Sequence, residues 1–140
     1  MKLRIALGML VVGMASACGG DGNGDGGGGA GGASGTVNVT LDEMNNSGKS
    51  GRAELHSGAA STDVTIEING QSDNDTIYVH TGTCDAPGEE IVHDLGFTTA
   101  NLGQGQIFVT LDEVATGEYI LDIHDDETDE VIMCGQIPAQ

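Results

Sequence analysis

From Gly35 onward, apolar and polar residues alternate with a period of two, in short runs. Val37, Val39 and Leu41 interleave with Asn38, Thr40 and Asp42. Ala53 and Leu55 interleave with Arg52, Glu54 and His56; Val64, Ile66 and Ile68 with Thr65, Glu67 and Asn69; Ile77 and Val79 with Tyr78 and His80. A short run follows at 90–95. Then Ile107, Val109 and Leu111 alternate with Phe108 and Thr110, Tyr119, Leu121 and Ile123 with Ile120, Asp122 and His124, and a last run spans 131–137. Residues two apart share a face of a strand, so each run has one face fit for burial and one for water. Turns rich in Gly, Asn, Ser and Asp separate the runs. Eight such segments predict an all-β domain, an antiparallel sandwich or flattened barrel, without a helix. Val-Thr-Leu-Asp-Glu occurs twice, at 39–43 and 109–113, and reads as two similar strand ends.

The chain before these runs has a different character. Lys2 and Arg4 precede an apolar run from Ile5 to Ala17, thirteen residues long. That is the layout of a secretory signal over 1–17, and it is too short for a spanning helix, which needs about 20 residues. The run ends Ala15-Ser16-Ala17-Cys18 and resembles a bacterial lipoprotein signal, in which the cysteine takes a lipid and becomes the first mature residue. The resemblance implies lipidation at Cys18, a domain held on the extracytoplasmic side of a bacterial membrane, and, with Gly19 following the cysteine, the outer membrane. The alternative is a secreted protein cleaved by an ordinary signal peptidase. Residues 18–35 are a Gly-rich linker, and 36–140 form the folded domain. Within the linker, Asp21 to Gly26 matches the first half of a calcium loop, but Gly32 stands where a bidentate Glu is required.

Three cysteines leave an odd one in an oxidising compartment. With Cys18 given to a lipid, Cys84 and Cys134 remain as a pair. Closing that loop contributes on the order of 4 kcal/mol in the chain-entropy picture. The formal charge is −18 with 22 acidic residues. Without Lys2 and Arg4 only Lys49 and Arg52 oppose those 22, so the mature chain carries a charge near −20. Such a surface repels nucleic acid, anionic membrane and small anionic substrates, and suits cations, basic partners or a salty medium.

The second half of the chain looks like copper–zinc superoxide dismutase and is similar to short bacterial lipoproteins with a chordin-type, dismutase-like domain. The residues that carry this are His80, Cys84, Asp94-Leu95-Gly96, Thr99-Ala100-Asn101, Gly105, Asp122-Ile123-His124-Asp125 and Cys134-Gly135-Gln136-Ile137, in the family's order from Ile77 to Ile137. The resemblance implies an eight-stranded Greek-key barrel with one disulfide, Cys84–Cys134. It also implies a copper site with His80 and His124 as ligands. The chain departs from the family in four ways. The His-x-His pair of the fourth strand reads Tyr78-Val79-His80. The loop that carries the bridging and zinc histidines is all but absent, so no zinc is expected. Asp94 matches the zinc aspartate without its partners. Val131 stands where an arginine would draw in superoxide.

Alternation supplies an independent expectation for the histidines. With Ile77, Val79, Leu121 and Ile123 inward, Tyr78, His80 and His124 face outward, and two imidazoles meet if their strands are neighbours. Imidazole suits copper or zinc, and His93 is a candidate third nitrogen, although it shares a face with Ile91 and Leu95. Against this stands the plainer reading that outward histidines simply hydrogen-bond beside a disulfide and an acidic turn. His56 and the acidic run from Asp125 to Glu130 read as solvated, the latter as a weak cation trap. No nucleophile elbow or separated acid pair is present, and Cys84, four residues from His80 as in a thiol–imidazole pair, reads as a disulfide half rather than a nucleophile. Three functions follow as expectations: a non-enzymatic module with a copper site at His80, His124 and His93; a copper-only superoxide dismutase on the same residues; or a metal-free structural or adhesive domain.

Overall fold

The computed structural model describes residues 35–140. The signal at 1–17, the lipid-attachment Cys18 and the linker as far as Ser34 lie outside the described residues. Eight strands form: β1 (Thr36–Glu43), β2 (Ser50–Ser57), β3 (Thr62–Asn69), β4 (Thr76–Thr83), β5 (Ala86–Phe97), β6 (Leu102–Ile107), β7 (Tyr119–His124) and β8 (Val131–Ile137). Their order in one antiparallel sheet is β5-β4-β7-β8-β1-β2-β3-β6. The β3–β4 and β6–β7 connections cross the ends of the sheet, giving a nearly closed Greek-key barrel. Among the described residues no helix is long and apolar enough to cross a membrane.

The period-two pattern sets the two faces. Val37, Val39, Leu41, Ala53, Leu55, Val64, Ile66, Ile77, Val79, Leu121 and Ile123 are all buried in one cluster. Burying side chains of this size is worth about 1.5–3 kcal/mol each, the main favourable term in a small domain. Cys84, at the tip of the β4–β5 ribbon, is bonded to Cys134 on β8, with the two Cα atoms 5.8 Å apart. A disulfide is compatible with an extracytoplasmic compartment.

The sheet ends, β5 and β6, form no ladder with each other and meet by packing. Here three expectations need correction. The sixth strand runs from Leu102 to Ile107, not from Ile107 to Leu111. Two of its three inward positions, Gly103 and Gly105, are glycines, so it shows no apolar alternation. A Cβ on Gly103 would stand 2.7 Å from Ile77 Cδ1, and one on Gly105 2.7 Å from Leu95 Cβ and 3.0 Å from the Leu95 carbonyl oxygen. The missing side chains let the two edges close. Next, Leu111–Val114 is a short helix, α1. Glu113 accepts the Thr110 backbone N–H at 2.9 Å and the Thr110 hydroxyl at 2.8 Å, and the helix plugs one barrel end with Leu111 and Val114. A Thr-x-x-Glu spacing suits a helix start as well as a strand. Finally, the fifth strand covers Ala86–Phe97, longer than 90–95. Pro87 is tolerated there because β5 is an edge strand.

The seam generates a test. Gly105→Ala must push Leu95 and its backbone aside, and is expected to destabilise the domain by about 1–3 kcal/mol in urea denaturation. An unchanged midpoint would show that the edges do not close by this contact.

Candidate metal centre

The β4–β7 ladder pairs Thr76 with His124, Tyr78 with Asp122 and His80 with Ile120, without a break. Val79 and Ile77 therefore point into the core, while His80, Asp122 and His124 share the outer wall. The two imidazoles come together as alternation predicts, with ring centroids 6.1 Å apart. Tyr78 sets its ring edge-on to both, at 6.0 Å from His80 and 5.1 Å from His124.

His80 is outward yet only 8% exposed. The cause is the β4–β5 ribbon, whose register shifts between Val79 and His80 and again between His80 and Gly82. These irregularities curl β5 over the outer wall, so that the Gly88 carbonyl lies 3.0 Å from His80 Nδ1. Gly88 passes so close to Thr81 that a Cβ would stand 2.9 Å from the Thr81 carbonyl oxygen. On β8, Cys134 is the cross-strand partner of Asp122, so the disulfide ties the ribbon tip to the strand beside the cluster.

The hydrogen bonds fix which ring nitrogens are free. A carbonyl oxygen only accepts, so His80 Nδ1 carries a proton and donates to Gly88. For the same reason His124 Nδ1 donates to the Asp129 carbonyl at 3.1 Å. In the neutral rings both Nε2 atoms are then bare lone pairs, and both point at one carboxylate. His124 Nε2 is 3.1 Å from Asp122 Oδ2, and His80 Nε2 is 3.7 Å from Asp122 Oδ1. The latter is too long for a hydrogen bond. Asp122 is 1% exposed, and His80 Nε2 and Asp122 Oδ1 are buried without a hydrogen-bond partner. One ligand atom from each of His80, Asp122 and His124 lies within 4.8 Å of the others. Two imidazoles and one carboxylate, each imidazole oriented by a backbone carbonyl, form a donor set suited to a divalent transition metal.

Sequence reasoning did not place Asp122 in this cluster. The signal was present: an acid two residues before His124 on the same outward face, opposite Tyr78. His93 does not join the cluster. It stands opposite Val79, on the face turned from His80, and burial lowers its pKa below the ordinary imidazole range. Asp94 is exposed and accepts the Gly96 N–H at 2.9 Å. His56 is half exposed near Thr36 and Glu54, as a solvated residue would be.

A second acidic group, Asp75 with Asp125 and Asp126, gathers at the barrel end beyond His124. It already has a cation: Lys49 Nζ lies 2.9 Å from Asp75 Oδ2. Asp125 folds its own turn, accepting from Thr128 Oγ1 at 2.9 Å and the Thr128 N–H at 3.0 Å, bonds that lower its pKa.

The hydrogen bond to Asp122 is the main cause that raises the His124 pKa above the usual 6.5, against the opposing effect of burial. A raised folded-state pKa gives stability that is fully present below the unfolded value and lost as pH rises through the folded one. In metal-free protein, His124→Asn is therefore expected to cost more stability at pH 5.5 than at pH 8.5, read from denaturation midpoints. An equal cost at both values would mean the imidazolium–carboxylate bond is not formed. No protein-family model, curated protein or solved structure matches this chain.

Proposed function

We propose that this chain is a lipid-anchored, extracytoplasmic, dismutase-like β-barrel module that binds a divalent transition metal, copper(II) foremost, through His80 Nε2, His124 Nε2 and an Asp122 oxygen. The observation that carries the proposal is the convergence of these atoms on one point, with a buried lone pair on His80 and a buried oxygen on Asp122 left unpaired. Leaving such groups unpaired costs on the order of 1–3 kcal/mol each, and a cation between them removes the cost. Asp122 takes the place of the ligand lost where Tyr78 replaces a family histidine. Copper(II) outranks zinc for such N/O sites in the general affinity order. The bound ion would supply a Lewis-acidic centre with positions left for water.

The role is binding rather than dismutation. Superoxide is an anion, and the cations that would attract it are engaged: Lys49 with Asp75 at 2.9 Å and Arg52 with Glu67 at 2.7 Å. Val131 supplies no charge where the family keeps its arginine.

Copper(II) titration of the purified protein is expected to give one ion per chain with nitrogen hyperfine coupling in its paramagnetic resonance spectrum. A His80→Ala, His124→Ala double variant is expected to lose it, and Asp122→Asn to weaken it roughly 10–100-fold. No binding would leave the metal-free adhesive reading, and superoxide turnover by the copper-loaded protein would replace the binding role with the enzymatic one. The anchor is tested separately: Cys18→Ala is expected to move the protein from the membrane to the soluble fraction.

A further inference from the structure

All five large apolar side chains exposed among the described residues lie on the two terminal strands or directly after them. Ile91, Val92 and Phe97 are on β5, Leu102 is on β6, and Phe108 follows β6 by one residue. They include both phenylalanines of the chain. Phe108 is 78% exposed, Phe97 64% and Leu102 51%, although phenylalanine ordinarily fills a core. Along β6 the inward residues are Gly103, Gly105 and Ile107, so Leu102, Gln104, Gln106 and then Phe108 face out. No charged residue occurs from Leu95 to Leu111, in a chain with 22 acids. The strip is bordered on β3 by Asp63 and Glu67, which stand opposite Gln106 and Leu102. Apolar surface rimmed by polar residues marks an interaction site.

We infer that the outer face of β6 is the interface of a two-fold dimer of this chain. Charge selects the occupant. A molecule this acidic repels a copy of itself wherever carboxylates meet; β6 carries none, and the two that flank it on β3 are engaged, Asp63 by Gln106 and Glu67 by Arg52. Geometry then makes the strip self-complementary. Phe97 and Leu102 lie at one end and Phe108 at the other, about 20 Å away at the usual rise per residue. A two-fold axis at Gly105 sets Phe108 of each copy on Leu102 of the other, beside Phe97, with Gln104 of each copy facing Gln106 of its mate across the centre. This is the isologous arrangement that closed dimers use. A covered aromatic accounts for roughly 150–250 Å². Two of them, with the aliphatic side chains and glutamines of the strip, are of the order of the ~800 Å² per partner typical of stable complexes. The metal cluster, on the β4–β7 wall, stays outside this contact.

The test is cysteine crosslinking in the full chain. Gln104→Cys places a thiol one residue from the axis, and a short bis-maleimide, which spans the roughly 10 Å between packed sheet faces, is expected to yield a species of twice the chain mass on a denaturing gel. Thr40→Cys, outward on β1 and three strands away in the sheet, is expected to stay monomeric. Adding Phe108→Asp to Gln104→Cys is expected to cut the crosslinked fraction at least tenfold, while circular dichroism stays that of the folded barrel. Crosslinking through Gln104→Cys no faster than through Thr40→Cys overturns the inference, as does a yield indifferent to Phe108→Asp. If Gln104→Cys fails to crosslink and Phe108→Asp instead loosens the protein from membranes, the strip faces lipid and the dimer is excluded.

Discussion

The unbroken ladder between β4 and β7 is the constraint from which both the core and the His80–Asp122–His124 cluster follow. Its register turns Ile77, Val79, Leu121 and Ile123 inward, and by the same alternation turns Tyr78, His80, Asp122 and His124 outward. A slip of one residue would put two histidines and an aspartate into an apolar core and four aliphatic side chains on the wall. The hydrophobic effect thus enforces the position of the polar cluster without contributing to it. The irregular pairing on the other side of β4 is the complement: it gives up ladder regularity to bring the Gly88 carbonyl over His80. The disulfide holds that ribbon tip against the strand beside Asp122.

The cluster carries its own energetic tension. A carboxylate buried to 1% exposure with one oxygen unpaired is costly, and the nearest imidazole nitrogen offers a lone pair, not a proton, in its neutral form. Two means of relief exist. Protons serve at low pH, where His124 charges and donates to Asp122. A cation serves by coordinating the two ring nitrogens and the carboxylate together, in place of the proton. The backbone carbonyls of Gly88 and Asp129 bias the choice by holding both rings with Nδ1–H outward and Nε2 inward. A purely structural hydrogen-bonded histidine has no need for its second nitrogen to face an orphaned oxygen.

Much of this was legible in the residues, and the parts that were not have identifiable causes. Alternation in Val37–Leu41, Val64–Ile68 and Tyr119–Ile123 reads directly because each strand has one dry and one wet face. It fails at Leu102–Ile107, where two of the three inward positions are glycines and closure depends on the absence of side chains. It fails again at Val109–Glu113. The same five residues at 39–43 are held extended, with Asp42 and Glu43 opposite Cys134 and Met133 of β8, whereas at 110–113 no partner strand competes and the Thr110–Glu113 contact starts a helix. The outward meeting of His80 and His124 was readable. The burial of His80 was not, because it depends on irregular pairing of a strand distant by eight residues. Asp122 does not stand out in the sequence because an acid on an outward face is ordinarily solvated, and only the register beside Tyr78 and the cover from β5 make it otherwise.

Charge connects the two surfaces. The acidic residues surround the barrel with a field that concentrates cations within a screening length of about 8–10 Å at moderate ionic strength. Lys49 and Arg52 do not offset this field locally, since each is already matched to a carboxylate. A cation approaching His124 meets Asp129, Asp122 and the acidic turn, each favouring entry, while an anion meets the same groups as a barrier. That asymmetry separates a cation-holding role from anion chemistry more sharply than the identity of any one ligand. It also explains why self-contact is confined to the neutral β6 strip: in a molecule of this charge the attraction between two copies must come from side chains that carry none.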